Sequence, residues 1–180
     1  MWNRTLKKYR KSAGKFWSQY KQSKMGMLGL VILLFFIFMS VFQEVLAPYP
    51  VGVTQGDKKA ILKPPNDKHL LGTDDFGRDM LSIIIFGGRI SLLVGFFATL
   101  IAALIGTFVG VYAGYFGGKT EELLMRITDI FMVIPGLPFM IVLASVLGPT
   151  FQNMIFVIGI RWWTGTARVL RAQVLSLKEK

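Results

Sequence analysis

Few residues in this chain have the types and spacing that chemistry requires. Ala113 to Thr120 reads AGYFGGKT, a relaxed match to the phosphate-binding pattern G-x-x-x-x-G-K-[ST] with Ala in place of the first Gly. Such a loop cradles phosphate when it joins a buried strand to a helix in a nucleotide-binding domain. Here it trails an uncharged apolar run with no strand before it, so ATP binding is not expected. Asp74, Asp75 and Asp79 could ligate a cation, but beside Arg78 three loop acids serve more simply as caps and salt bridges. Glu44 stands at the outer end of the first apolar run, where it reaches interfacial water. The single histidine, His69, leaves no cluster for zinc or haem, and the absence of cysteine excludes thiolate metal sites, disulfides and thiol chemistry. No catalytic group, metal site or cofactor is expected. Arg161 has two readings. Ten apolar or uncharged residues separate it from Gly148-Pro149-Thr150, which places it below mid-depth in a full span. A guanidinium there faces a water-filled path or a partner, or it snorkels along a tilted helix whose inner interface is marked by Trp162-Trp163.

The elements that carry these residues belong to a membrane. The chain is 53% hydrophobic and holds several long apolar runs, which makes it an integral membrane protein and leaves no room for a soluble enzyme domain in 180 residues. Ile90 to Gly118 contains no charged residue, and roughly 20 apolar residues suffice to cross the hydrocarbon core. Ala102, Gly106, Gly110, Gly114 and Gly118 recur at every fourth position, so on a helix they form one smooth stripe. Small residues let a neighbouring helix approach to backbone distance, which is how helices associate where lipid removes the hydrophobic drive. Phe96, Phe97, Leu100, Leu104 and Phe108 supply bulk elsewhere on the same helix.

The net charge of +11 is unevenly spread. Residues 1–25 carry eight Lys/Arg and no acid, whereas 48–89 carry six basic and five acidic residues. The tail from Arg161 holds five basic residues against one acid. Basic residues beside spans at both ends follow the positive-inside rule and put both termini in the cytoplasm. They also touch anionic lipid headgroups, and a nucleic-acid partner is not expected.

In order, residues 1–24 form a cytoplasmic segment of interleaved basic and aromatic residues, an interfacial helix before the first span. Residues 25–47 are the first transmembrane helix, ended by Pro48 and Pro50. Residues 48–88 are an extracytoplasmic loop, in which Thr73, Asp74 or Asp75 caps an interfacial helix and Gly87-Gly88 breaks it. The second span is 89–117, followed by a cytoplasmic loop at 118–129 with a short amphipathic helix. Residues 130–160 are uncharged. As one helix they would reach about 46 Å, too long for one crossing, so they divide at an outer turn, 148–150. That gives a third span at 130–147, loosened by Pro135-Gly136 and Pro138, and a fourth at 151–167. Residues 168–180 emerge as a basic cytoplasmic helix. The fold class is all-α and polytopic, with four transmembrane helices.

Several motifs then combine in order. Leu71-Gly72-Thr73-Asp74-x-x-Gly77-Arg78-Asp79-x-x-Ser82 is followed by Gly87-x-Arg89-Ile90-Ser91-Leu92. Next come Gly114-Tyr115-x-Gly117-Gly118, Met125-Arg126-x-x-Asp129 and Pro135. Last is Trp163-x-x-x-Ala167-Arg168-x-x-Arg171-x-Gln173-x-Leu175-Ser176-Leu177-Lys178-Glu179. Together these resemble the permeases of oligopeptide, dipeptide and nickel ABC importers, and more narrowly their C-type subunit, over residues 20–180. The resemblance implies a prokaryotic inner-membrane subunit of the six-helix type I importer fold, its core starting at the second span. It implies a second homologous permease subunit, two ATPase subunits below and an extracytoplasmic substrate-binding protein above, with ATP hydrolysed by the partners. It marks Gly72, Thr73, Asp74, Gly77, Arg78, Asp79, Gly87, Arg89 and Ser91 as family motif, and points Arg168 and Arg171 toward the coupling region.

Two positions depart from the family. Ile83 lies where a basic residue is usual, and Arg161 where an apolar one is usual. Members of the family also continue into a cytoplasmic coupling loop with Glu-Ala-Ala and a following Gly, then two more spans. The sequence given stops at Lys180, a few residues earlier, so a fragment or a truncated product is expected. A membrane scaffold or assembly protein, or a channel with Arg161 lining an anion path, is the alternative function.

Overall fold

The computed structural model describes residues 17–49 and 60–178. The N-terminal basic and aromatic segment up to residue 16, residues 50–59 of the outer loop and residues 179–180 lie outside them. The described chain is helical: α1, Lys24–Val41; α2, Gln43–Leu46; α3, Met80–Phe116; α4, Gly118–Val133; α5, Gly136–Leu147; and α6, Phe151–Lys178. It divides into two compact units, Met1–Ile90 and Ser91–Lys180.

In the first unit, α1 is apolar on every side, and Leu28, Val31, Leu34, Phe35 and Phe38 are all exposed. A helix without a polar face has lipid around it. Its N-terminus is capped by the Ser23 hydroxyl, which accepts from the Gly26 N–H. Eighteen residues reach about 27 Å, close to the hydrocarbon thickness. The helix stops at Val41, and Phe42 leads into the one-turn α2 before Pro48, so the expected first span of 25–47 is two pieces.

The long helix α3 starts later than the sequence suggests and then does not break. Its cap is Asp79, whose Oδ2 accepts from the Ser82 N–H at 2.8 Å; Thr73, Asp74 and Asp75 are not the cap. The reason is Gly77, at φ +74°, which turns the chain back and delays the first helical residue to Met80. Gly87 and Gly88 are both helical, with nothing within 4 Å of a Cβ built on either. Two helical glycines cost about 1 kcal/mol each relative to Ala, which a capped helix of 37 residues absorbs. The separate interfacial helix expected before the second span is therefore the opening of α3 itself.

In the second unit, Gly117 (φ +67°) turns the chain from α3 into α4. The polar helix expected at 118–129 extends to Val133. Between α4 and α5 the axis bends by 94° at Ile134-Pro135, and Pro138 sits in the first turn of α5, where its missing N–H costs nothing. Gly148 (φ +87°) and Thr150 make the tight turn into α6, the Thr150 hydroxyl accepting from the Asn153 N–H at 3.2 Å. The fourth span expected at 151–167 and the described part of the basic helix expected at 168–180 are one helix to Lys178, because no glycine or proline interrupts the periodicity after Gly165.

The core of this unit is Ala102, Trp163 and Ala167, with Ile105, Val109, Phe131 and Ile160 against it. Trp163 meets the Phe131 ring edge-on at 5.6 Å between centroids. By length and composition α1 and α3 can each cross a membrane, and α4 with α5 adds a third crossing if the bent pair is one span. The protein is a helical membrane protein with two to three candidate spans among the described residues. The expected third span, 130–147, falls on the end of α4 and on α5, which is only 12 residues long, and the expected fourth on α6, which carries Gln152, Asn153 and Arg161.

Candidate functional site

The motif residues of the first unit build a compact knot at the head of α3. Gly72 has φ +76°, and a Cβ there would lie 2.6 Å from the Lys63 carbonyl oxygen, so only glycine fits. This lets Thr73 N–H donate to Lys63 O at 3.0 Å while the Thr73 hydroxyl accepts from Lys63 N–H at 2.9 Å. The same hydroxyl donates to Ala60 O. Asp74 organises the next turn: its Oδ1 accepts from the Phe76 and Arg78 N–H groups at 3.0 and 2.8 Å, and its Oδ2 from Arg78 Nε at 2.7 Å. Burial raises the Asp74 pKa, but the hydrogen bonds and charge of Arg78, with the Phe76 N–H, hold it below the usual carboxylate value.

Asp79 is buried and fully engaged. Its Oδ2 accepts from the Ser82 N–H and hydroxyl, each at 2.8 Å, and its Oδ1 lies 3.0 Å from His69 Nδ1. An ionised carboxylate only accepts, so Nδ1 carries the proton in this pair. Burial pushes the Asp79 carboxyl up, and the Ser82 and His69 hydrogen bonds outweigh it to leave the pKa lowered. Ser82 Oγ also accepts from the Tyr49 N–H at 3.1 Å, and the Tyr49 ring stacks on His69 at 5.1 Å. Asp74 and Asp79 are thus turn and cap acceptors and ion-pair partners, Asp75 is exposed, and no group of three or more potential metal ligands occurs among the described residues. Gly87 lies mid-helix, while Arg89 and Ser91 are exposed; the structure does not bring these three into the knot.

In the second unit the small-residue stripe packs against α6 of the same chain. A Cβ on Gly106 would lie 2.6 Å from Trp163 O, one on Gly110 2.4 Å from Ala167 O, and one on Gly114 3.0 Å from Arg171 O. Ala102 is buried in the same seam. Gly118 is not part of it: the turn at Gly117 removes it from α3, and a Cβ there meets nothing within 4 Å. Gly159 of α6 answers from the other side, where a Cβ would lie 3.1 Å from Ala98 O. Contacts that advance together along both helices mean that α3 and α6 run parallel.

Arg168 and Arg171 both reach back to α4. Arg171 Nε donates to Glu121 Oε1 at 2.7 Å, and Arg168 pairs with Asp129. With the exposed Glu122–Arg126 pair at 2.6 Å, these groups line a polar groove of about 640 Å³. Arg161 stands apart. Its Nε is buried without a hydrogen-bond partner, and it packs on Gly136, whose Cβ position lies 3.0 Å from that Nε. Sequence reasoning missed Tyr49, Gly159 and Thr128, and read Gly136 only as loosening the third span. Thr128 is fully buried, its hydroxyl donating to Leu124 O at 2.8 Å. Only the glycines carried a readable signal, as small residues in apolar runs.

A helical membrane protein knit by glycine contacts and ion pairs is the class this geometry defines. Residues 13–65 match the family described as the N-terminal TM domain of oligopeptide transport permease C. Residues 106–180 match the binding-protein-dependent transport system inner membrane component. The chain is 40% identical over 162 residues to the dipeptide transport system permease protein DppC of Bacillus subtilis, covering 90% of this chain and 50% of that protein. It is 35% identical over 172 residues to the DppC of Haemophilus influenzae, covering 92% and 58%. Against the oligopeptide transport system permease protein OppC of Bacillus subtilis it is 34% identical, covering 90% and 52%. The chain belongs to the inner-membrane permeases of binding-protein-dependent transport systems, and within them to the OppC/DppC type. It spans about half the length of the curated relatives it matches.

Proposed function

We propose that this chain acts as a permease subunit of an ABC importer, forming part of the translocation path for di- or oligopeptides. The observation that carries this reading is the collinear match over 90% of the chain to dipeptide and oligopeptide permeases. Peptide is preferred to nickel because those relatives are peptide systems. ATP hydrolysis falls to two ATPase partners, an extracytoplasmic binding protein delivers substrate, and a second homologous permease subunit completes the path. The AGYFGGKT segment supports the division of labour, since it runs from the end of α3 through the turn into α4, with a helix rather than a strand directly before it.

Four crossings, within a six-helix type I fold, are part of this reading, and the direction of the helices supports the four. If α3 crosses the membrane, α6, parallel to it and in contact from Ala98/Gly159 to Tyr115/Lys178, crosses with it. The broken pair α4 and α5 is then the return path between them. That topology leaves both termini in the cytoplasm, in agreement with the charge distribution. Because the sequence has no cysteine, Asp67→Cys and Lys119→Cys each report one position. Impermeant maleimide is expected to label Asp67→Cys from outside intact cells and Lys119→Cys only after permeabilisation. Co-purification of the intact gene product with neighbouring permease and ATPase subunits tests the function; a product that purifies alone and supports no peptide uptake refutes it.

A further inference from the structure

Arg161 is the one described cation of the second unit's apolar interior, and nothing neutralises it there. The acids of that unit within the described residues are Glu121, Glu122 and Asp129, and all three are already paired with Arg171, Arg126 and Arg168. The first turn of the adjacent α5 holds no acid. Arg161 Nε is shielded yet unbonded, and a guanidinium lacking both water and counter-ion at one of its donors is costly to keep. Ten residues of α6 precede it, which puts it about 15 Å below the outer turn, near the bilayer midplane. The site is shaped around it. Gly136 at the α4–α5 bend leaves the guanidinium room, since a Cβ would stand 3.0 Å from Nε and 3.4 Å from a terminal nitrogen. Between α5 and α6 an apolar groove of about 480 Å³ runs outward, lined by Leu137, Met140, Ile141, Val157 and Ile158 among others. Arg161 does not itself line the groove, but Leu137 follows Gly136 directly and Ile158 lies one turn before Arg161, so the cation lies next to its inner end. That volume suits a small ligand more than a protein segment.

We propose that Arg161 is a substrate-binding residue that holds the terminal carboxylate of a peptide in transit while its apolar side chains occupy the α5–α6 groove. The inference rests on the permease reading and adds to it the group that is recognised. A guanidinium and a carboxylate pair through two parallel hydrogen bonds, and at this depth the pairing removes an unbalanced charge from both partners.

The test uses the intact gene with its neighbouring permease, ATPase and binding-protein genes in a host lacking its own peptide importers. Two labelled probes are compared: a hydrophobic dipeptide with a free carboxylate and its C-terminal amide, both first shown to be held by the binding protein. Arg161→Gln is expected to lower uptake of the free acid about tenfold or more and to leave amide uptake within about twofold, with Arg161→Lys between. An unchanged acid-to-amide ratio in Arg161→Gln, whether both rates fall or neither does, overturns the proposal. Loss of the second permease subunit on purification of Arg161→Gln also overturns it, by placing the carboxylate on that subunit. If the unaltered complex takes up neither probe, the permease reading fails and the proposal falls with it.

Discussion

Replacing Gly110 by alanine adds one carbon at the tightest point between α3 and α6. That carbon would lie 2.4 Å from Ala167 O, 3.0 Å from its Cα and 3.1 Å from its carbonyl carbon. Non-bonded heavy atoms settle at about 3.5 Å, so the helices must part by roughly 1 Å. All three obstructing atoms are backbone, and no rotamer change relieves the clash. A gap of that size forfeits up to about half of the dispersion well for every contact across it, and Ala102, Ile105, Val109, Ile160 and Trp163 share the seam. Overpacking of this kind costs about 1–3 kcal/mol, while the gain in helix propensity returns about 1 kcal/mol. The net expectation is a loss of about 0–2 kcal/mol. Gly165→Ala is the matched control: that glycine is helical, exposed and has nothing within 4 Å of its Cβ position, so it should gain up to about 1 kcal/mol. A difference near 2 kcal/mol between the variants is about thirtyfold in the folded-to-unfolded ratio. It is read from unfolding in mixed SDS micelles followed by tryptophan fluorescence, with Trp163 in the seam. Gly110→Ala as stable as Gly165→Ala would refute the packing argument.

Three further expectations concern the ion pairs and the head of α3. A double-mutant cycle on Glu121 and Arg171, whose side chains are 19% and 37% exposed, should give a coupling of about 1 kcal/mol. The Asp129–Arg168 pair, 56% and 48% exposed, should give less, and the reverse order would count against the role assigned to Arg171. Asp79 has a lowered pKa, so its contribution to the knot is complete above the unfolded value of about 3.9 and is lost as pH falls through the lower folded value. Amide exchange in residues 60–82 should therefore accelerate only in that acid range, and Asp79→Asn should accelerate it at neutral pH and flatten the acid dependence. Gly72→Ala, strained at φ +76° and 2.6 Å from Lys63 O, should open the same loop to protease at neutral pH, whereas Gly87→Ala should leave it closed.

Much of the chain was legible in sequence because the signals are local. Uninterrupted apolar runs place α1 and α3, Pro135 marks the bend, and Gly148-Pro149-Thr150 marks the turn, each acting on residues within a few positions of itself. The four-residue period of Ala102, Gly106, Gly110 and Gly114 shows that a close neighbour exists. What periodicity does not carry is the neighbour's identity. That neighbour is α6, 57 residues further on at Ala167, and only the folded chain shows the two helices running parallel with Gly159 set opposite. The same limit explains Arg168 and Arg171, which extend the seam by pairing with α4, and Arg161, whose room comes from Gly136.

The local misreadings share one cause. Gly77 and Gly117 take left-handed backbone and redirect the chain, so the cap of α3 moves to Asp79 and Gly118 leaves the stripe. Gly87 and Gly88 take ordinary helical backbone, and α3 runs through them. Composition and period thus determined that this is a helical membrane protein with a face built for close packing. Which glycine bends the chain, which helix fills the stripe and which cation is left without an acid were decided by contacts between residues far apart in sequence, where no local pattern reaches.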